Sequence, residues 1–150
     1  MKIRFRKARI SDLPVLLDLL STMDSEPPVN LPRARQLYRI MRRVPGYQTW
    51  LAISCNRPVG TFALLLLPLL THGGARTGLL ESVVVAPAAR GKGVGRAMLA
   101  HAMRLCANAG CYKLALSSNL KRREAHRFYQ GLGFHQHGVS LQIDPATPPS

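Results

Sequence analysis

The residues with the clearest chemical potential form a cationic, glycine-rich turn, Arg90-Gly-Lys-Gly-Val-Gly-Arg96, directly behind the β-branched run 83–85. Glycine leaves the backbone bare, so a ligand can approach closely, and the three cations favour an anionic ligand. A helical pattern begins near Val94, and the first amides of a helix lack intrahelical acceptors. The sequence therefore predicts an anion site at a helix start. The alternative is a turn that merely joins strand to helix.

Two common phosphate-binding motifs do not fit this turn. A P-loop requires G-x-x-x-x-G-K-[ST], but Lys92 is followed by glycine and no suitably placed glycine precedes it. A dinucleotide fingerprint requires G-x-G-x-x-G, whereas Gly91, Gly93 and Gly95 are spaced two and two. These comparisons leave the anion unidentified.

Hydrophobic periodicity places the turn in a mixed α/β chain. The expected elements are a strand over 3–8, a helix capped by Ser11, a helix opened by Pro32, strands over 47–55 and 59–67 joined by a turn at 56–58, a strand over 79–85, a helix from Val94 to a C-cap at Gly110, a strand over 112–116, a helix over 123–132 and a final strand or strand pair over 134–143. The strand–helix–strand segment 79–116 forms a crossover unit, so its strands should be parallel. We expect one domain over 1–144 and a short Pro-rich tail over 145–150.

The composition favours a soluble protein with no membrane partner. The most apolar stretch, 62–70, is nine residues long and contains a proline, whereas a membrane-spanning helix needs about 20 apolar residues. Three cysteines, Cys55, Cys106 and Cys111, form neither a C-x-x-C pair nor a zinc spacing. We therefore expect reduced thiols, no metal and a cytoplasmic location.

The charge is strongly positive, with 21 Lys and Arg against 7 Asp and Glu, a net charge of +14. Such a chain attracts nucleic acid, anionic membrane surfaces or a phosphate-rich ligand. The cations are spread along the chain and aromatic residues are few, which disfavours nucleic acid. A cationic helix face over 33–43 keeps a non-catalytic nucleic-acid-binding module as an alternative.

The motif Arg90-x-x-Gly93-x-Gly95 resembles the acetyl-CoA pyrophosphate loop of the GNAT superfamily of N-acetyltransferases, whose pattern is Q/R-x-x-G-x-G/A. A second match follows in Leu116-Ser-Ser-Asn119 and Ala125-His-Arg-Phe-Tyr129-x-x-Leu-Gly-Phe134. The resemblance implies the acyl-CoA N-acyltransferase fold, an α/β fold with a mixed sheet in the order β-α-α-β-β-β-α-β-α-β and splayed parallel central strands. It also implies acetyl-CoA as co-substrate without a metal, and it is compatible with a homodimer.

The resemblance assigns acetyl-CoA contacts to both motifs. In the superfamily the strand before the loop pairs with the pantetheine arm through its backbone, and one strand amide faces the thioester oxygen, where negative charge develops. The loop holds the pyrophosphate, and an asparagine lies near the pantetheine. The residues implied to bind acetyl-CoA are Val83, Val84, Val85, Arg90, Gly91, Lys92, Gly93, Val94, Gly95, Arg96 and Asn119.

Tyr129 matches the superfamily tyrosine that protonates the departing thiolate, a step that suits a phenol with an ordinary pKa near 10. The alternative is an aromatic anchor for the helix. Adjacent helical residues point about 100° apart. We therefore expect Phe128 in the core and Tyr129 towards the cleft.

Glu81 is the candidate for removing a proton from the attacking amine, directly or through water. It is the only acid between Glu26 and Glu124, and it lies where the strand enters the site. Relatives that carry Glu-Asp here use these acids at the amine, but this chain has Ser82 in the second position. The alternative is a surface carboxylate paired with Arg76.

The acceptor is expected to be a small primary amine. The stretch Gly110-Cys-Tyr-Lys113 resembles glucosamine-6-phosphate N-acetyltransferases, and Leu116-Ser-Ser-Asn119 with Lys121-Arg122 resembles aminoalkylphosphonate N-acetyltransferases. Both branches act on an amine that carries a phospho group, which suits a basic cleft. Polycations such as aminoglycosides are disfavoured by the net charge. Acetylation of a protein or peptide amine is the alternative on the same fold.

Overall fold

A five-stranded mixed sheet forms the framework of the first 116 residues. The structure is a computed structural model that describes residues 1–23 and 27–146. Its elements are β1 (Arg4–Lys7), α1 (Leu13–Leu20), α2 (Leu31–Met41), β2 (Tyr47–Ser54), β3 (Arg57–Pro68), β4 (Arg76–Val85), α3 (Val94–Asn108), β5 (Cys111–Leu116) and α4 (Arg123–Gly131). The strands lie in the order β1-β2-β3-β4-β5. All neighbours are antiparallel except β4 and β5, which are parallel as the crossover argument predicted.

The chain divides into two compact units, Met1–Leu116 and Ser117–Ser150. The first contains the whole sheet with α1, α2 and α3, and α4 lies in the second. Among the helices of the described ranges, none combines the length and apolar character that crossing a bilayer requires. The expectation of one domain over 1–144 stays a prediction.

The two faces of the sheet pack against different helices, because the side chains of a strand alternate between the faces. On one face Leu51 and Val84 pack with the apolar residues of α1 and α2. On the other face α3 covers β3 closely, since a Cβ at Gly60 would lie 2.6 Å from the Met98 sulfur. His101 of α3 stacks on Phe5 of β1 at 4.3 Å between ring centroids. The sheet is therefore covered on both faces within the first unit.

Two local features differ from the sequence expectations near the N-terminus and the hairpin. Asp12, rather than Ser11, organises the start of α1: its carboxylate accepts from the Arg9 amide at 2.7 Å and from the Arg6 guanidinium at 2.7 and 2.8 Å. The β2–β3 turn lies at Cys55 and Asn56, whose φ values of 47° and 59° are typical of a tight hairpin turn. The predicted turn at 56–58 was thus placed one residue too late.

The final strand predicted over 134–143 is not formed. The described residues after Gly131 carry neither helix nor strand. A strand requires a partner for its backbone groups, and the described part of the second unit contains no strand. Apolar side chains in the stretch 134–143 are correspondingly exposed to solvent: Val139 is 77% exposed and Leu141 is 87% exposed.

Candidate active site

Strand β4 is irregular where it approaches the glycine turn. Ala63 of β3 pairs with Glu81 and Thr61 pairs with Val84, so one β3 residue opposes two residues of β4. Ser82 lies in this β-bulge with φ 51°, a left-handed conformation that is uncommon for a residue other than glycine. Such local strain concentrates at functional sites. Nothing in the sequence around Ser82 predicts this bulge.

Beyond the bulge, β4 continues without its parallel neighbour. Pairing with β5 runs from Arg76 and Cys111 to Leu80 and Leu116 and then stops. Glu81, Val84 and Val85 still pair with β3 on the other side. Within the first unit, the edge of β4 that faces away from β3 therefore has no strand partner along this stretch. The predicted pantetheine strand 83–85 lies on this edge, where its free backbone groups can bind a ligand.

The glycine turn itself has the open geometry that an anion requires. Gly91 and Gly93 adopt φ values of 71° and 79°, a conformation in which an L side chain is strained. A Cβ added at either residue would have no neighbouring atom within 4 Å. The described structure is therefore open on the side of these two glycines where a side chain would lie.

Helix α3 begins behind this space with uncapped amides. Its first helical bond runs from the Ala97 amide to the Gly93 carbonyl at 3.0 Å, so the amides of 94–96 have no intrahelical acceptor. Gly93 occupies the N-cap position of α3 and has no side chain to accept from these amides. Val94 is 1% exposed and anchors the first turn in the core. The amides and the dipole of this 15-residue helix together favour an anion.

Three cations surround the turn. Arg90 donates from Nε to the Val85 carbonyl at 3.2 Å, which ties the turn to the end of β4. Lys92 and Arg96 are exposed. The one ion pair within residues 1–23 and 27–146 joins two other residues, so no described carboxylate neutralises these cations. This arrangement fits a ligand with more than one negative charge, such as a pyrophosphate.

Glu81 lies on the α1 and α2 face of the sheet and is exposed. It pairs with Ala63, which pairs in turn with Thr49, so the three share one face. Tyr47 lies two residues before Thr49 on the same face of β2. Burial raises the pKa of the Tyr47 phenol, and the negative charge of Glu81 raises that pKa further. Arg76 instead donates to the Ala109 carbonyl at 3.1 Å. In the described structure Glu81 is therefore not paired with Arg76.

Asn119 and Tyr129 belong to the second unit. The Asn119 side chain accepts from the Lys121 amide at 2.9 Å and so shapes the turn before α4. Burial raises the pKa of Tyr129 above its ordinary value of 10.0, and the charge of Arg122 acts in the opposite sense. Tyr129 therefore keeps its phenolic proton at neutral pH, as a proton donor must.

The expected division between the two aromatics of α4 is partly wrong. Phe128 is 39% exposed rather than a core residue, whereas Tyr129 is half-buried. Phe134 folds back onto the tyrosine: its amide donates to the Tyr129 carbonyl at 3.1 Å, and the rings meet edge to face at 5.8 Å. The chain that follows α4 thus covers Tyr129, and Phe128 is left at the surface.

Comparison with known proteins identifies the family. Residues 15–134 match the model of the acetyltransferase (GNAT) family. Glucosamine 6-phosphate N-acetyltransferase from Trypanosoma brucei brucei is 34% identical over 138 residues, which cover 89% of this chain and 90% of that protein. Aminoalkylphosphonate N-acetyltransferase from Salmonella typhimurium is 36% identical over 92 residues, covering 61% of this chain and 59% of that protein.

A solved structure agrees with the sequence matches. The crystal structure of a Trypanosoma brucei acetyltransferase has a TM-score of 0.82 and 31% identity, and the match covers 95% of this chain and 99% of that one. The fold, the bulged strand and the open glycine turn thus coincide with a family match over most of the sequence. The chain therefore belongs to the acetyltransferase (GNAT) family and is an acetyl-CoA-dependent N-acetyltransferase.

Proposed function

We propose that the protein transfers the acetyl group to a small primary amine that carries a phosphate or phosphonate, by direct attack of the amine. The observation that carries the proposal is that β4 bulges and loses its β5 partner shortly before the chain enters the uncapped start of α3. The two curated relatives, which are named for phosphate- and phosphonate-bearing amines, support the acceptor class. The high net positive charge of +14 suits an anionic acceptor.

Acetyl-CoA supplies the acetyl group as a thioester. The amides of 94–96 and the cations Lys92 and Arg96 would hold its pyrophosphate, and Gly91 and Gly93 leave the room that this requires. The backbone of 83–85 would pair with the pantetheine arm, and one amide there would donate to the thioester oxygen as charge develops. Asn119 would contact the same arm.

Two side chains would move the protons. Glu81 would accept a proton from the ammonium group of the acceptor, directly or through water, because only the neutral amine has a lone pair for attack. Tyr129 would donate its phenolic proton to the thiolate as the C–S bond breaks. Assembly into a homodimer stays a prediction beside this scheme.

Glu81→Gln is expected to lower kcat by about 100-fold at neutral pH, since general-base catalysis contributes at least that much. As pH rises, a larger fraction of the amine binds already deprotonated. The difference in kcat between Glu81→Gln and the wild type should therefore shrink. The measurement is a pH profile of kcat for both proteins. Glu124→Gln, which removes an exposed carboxylate in the first turn of α4, is the matched control. Parallel profiles for wild type and Glu81→Gln would exclude Glu81 from proton transfer.

The acceptor class is tested by following CoA thiol release with a panel of amines. The panel contains glucosamine 6-phosphate, 2-aminoethylphosphonate, their phosphorus-free counterparts, and peptides with free α-amines. We expect kcat/KM to be higher for each phosphorus-bearing amine than for its counterpart. Turnover of peptides alone would contradict the proposal and favour protein N-acetylation.

A further inference from the structure

A histidine is enclosed by aromatic rings between α3 and the sheet. His101 lies in the middle of α3 and stacks on Phe5 of β1, with 4.3 Å between the ring centroids and 6° between the ring planes. Trp50 of β2 and Phe62 of β3 meet the imidazole in edge-to-face geometry, at centroid distances of 4.7 and 6.4 Å. One side chain thus connects α3 to three neighbouring strands.

The two ring nitrogens of His101 have different surroundings. The Arg104 Nη2 atom lies 3.4 Å from Nδ1. Because a guanidinium group can only donate, Nδ1 accepts and is the unprotonated nitrogen of a neutral imidazole. The proton then lies on Nε2, which is buried and has no hydrogen-bond partner in the described structure. The surroundings therefore fit the neutral ring and offer nothing to accept a second proton's charge.

The α3 side of the sheet carries no acid that could balance an imidazolium. The five strands and α3 together contain one acidic residue, Glu81, which lies on the opposite face. The charged side chains near the ring are cations: Arg104 of α3, and Lys7 of β1, whose Nζ lies 5.9 Å from the centroid of the Trp50 ring. The residues of β2 and β3 that contact the ring are uncharged. Burial lowers the pKa of His101, and the charge of Arg104 lowers it further.

His101 belongs to the helix that begins at the glycine turn. It follows Val94 by two helical turns, or about 10 Å along the axis. Val94, Met98 and His101 are spaced i, i+4 and i+7, so they form one stripe of α3 that faces the sheet. The first two side chains are fully buried. A change in packing at His101 therefore acts on the same rigid element that presents its amides at the turn.

We propose that His101 is an acid-sensitive lock, which holds α3 against β1, β2 and β3 while its imidazole is neutral and weakens that packing when it is protonated. A proton on Nδ1 replaces the contact with Arg104 by repulsion between two cations. It also places a charge among apolar rings without a counter-ion, which is unfavourable. The expected consequence is weaker acetyl-CoA binding at the start of α3 as pH falls. This consequence rests on the proposed acetyl-CoA site, whereas the lock itself does not.

The direction of the pH effect follows from the two states of His101. In the unfolded chain its pKa has the ordinary value of 6.5, and in the folded protein its pKa is lower. Below about pH 6.5 the unfolded chain therefore binds more protons than the folded protein, and acidification favours unfolding. The contribution of His101 to stability is fully present above this range and is lost as pH falls through the folded-state pKa.

The lock is tested by thermal unfolding of the wild type and His101→Phe between pH 5 and pH 8. Phenylalanine suits the aromatic surroundings and cannot be protonated. We expect acidification to lower the melting temperature of the wild type by about 3 °C more than that of the variant. His72→Phe is the matched control, because His72 also stacks on an aromatic ring, that of Tyr112 at 3.9 Å, but is exposed. Its melting temperature should fall as much as that of the wild type.

The effect on the glycine turn is measured by calorimetric titration with acetyl-CoA at pH 7.5 and pH 5.5. We expect the wild type to lose about fivefold more affinity on acidification than His101→Phe, which is a typical coupling between two sites. The phosphate groups of acetyl-CoA also take up protons in this range. They do so equally with both proteins, so the difference between the two losses belongs to His101.

The possible results separate the lock from the acetyl-CoA site. Parallel pH profiles of the melting temperature for wild type and His101→Phe overturn the lock. Equal acid losses of acetyl-CoA affinity in these two proteins overturn its coupling to the turn. No acetyl-CoA binding by the wild type at either pH overturns the proposed cofactor site, and the melting profiles still decide on the lock.

A nuclear magnetic resonance titration of the imidazole provides a test that does not depend on the folding of His101→Phe. We expect the His101 ring of the wild type to titrate with a pKa below 6.5. In Arg104→Gln this pKa should rise, because the neighbouring positive charge is removed. A wild-type pKa at or above 6.5 overturns the lock, since protonation would then be tolerated by the folded protein.

Discussion

Gly93→Val is expected to abolish acetyl-CoA binding at ligand concentrations that saturate the wild type. The valine would adopt a φ of 79°, which is strained for an L residue, and its side chain would project into the space in front of the α3 amides. Hydrogen bonds to a charged ligand contribute about 1.5–3 kcal/mol each. Loss of two such bonds corresponds to an affinity loss of at least about 100-fold. Calorimetric titration with acetyl-CoA measures the effect.

The control for Gly93→Val separates blocking of the site from backbone strain. Gly74 has a nearly identical φ of 80° and also has no atom within 4 Å of an added Cβ, but it lies in the loop before β4. Gly74→Val therefore introduces the same strain without touching the turn. We expect it to lower the melting temperature and to retain acetyl-CoA affinity. Normal acetyl-CoA binding by Gly93→Val would contradict the phosphate-cradle assignment.

Tyr129→Phe is expected to lower kcat by about 100-fold while acetyl-CoA affinity stays within about twofold of the wild type. The substitution removes only the phenolic proton, and general-acid catalysis contributes about 10²–10⁴-fold. The ring contact with Phe134 is retained, so stability should change little. Steady-state kinetics with a good acceptor and a calorimetric titration measure the two quantities.

Tyr112→Phe is the matched control for Tyr129→Phe. Tyr112 is 43% exposed at the start of β5, and its ring stacks on His72 at 3.9 Å. Removing that hydroxyl should leave kcat unchanged. If Tyr129→Phe behaves like the control, another group protonates the thiolate, and Tyr129 is then an aromatic anchor of α4.

The parts of the site that depend on local backbone chemistry were predictable from the sequence. Glycine spacing behind a β-branched run indicated the turn, and the structure places Gly91 and Gly93 in left-handed conformations. The apolar period after Val94 indicated α3, and the crossover rule indicated the parallel pairing of β4 and β5. Each of these features is set by residues that are close together in the sequence.

Features set by distant residues were missed. The bulge at Ser82 arises from the pairing of β4 with β3, and nothing in a serine predicts a left-handed φ. The absent strand over 134–143 has the same cause, because a period-2 pattern cannot indicate whether a partner strand exists.

The most direct test of the account is a calorimetric titration of the wild-type protein with acetyl-CoA at about 0.5 M salt, where charge attraction is screened beyond a few ångströms. The account predicts saturable binding at one site per chain, because amide hydrogen bonds in the turn and the β4 backbone contacts persist at this ionic strength. Binding that disappears as salt rises would contradict it. The glycine turn would then attract anions only through its net charge, and the acetyl-CoA site would be wrongly assigned.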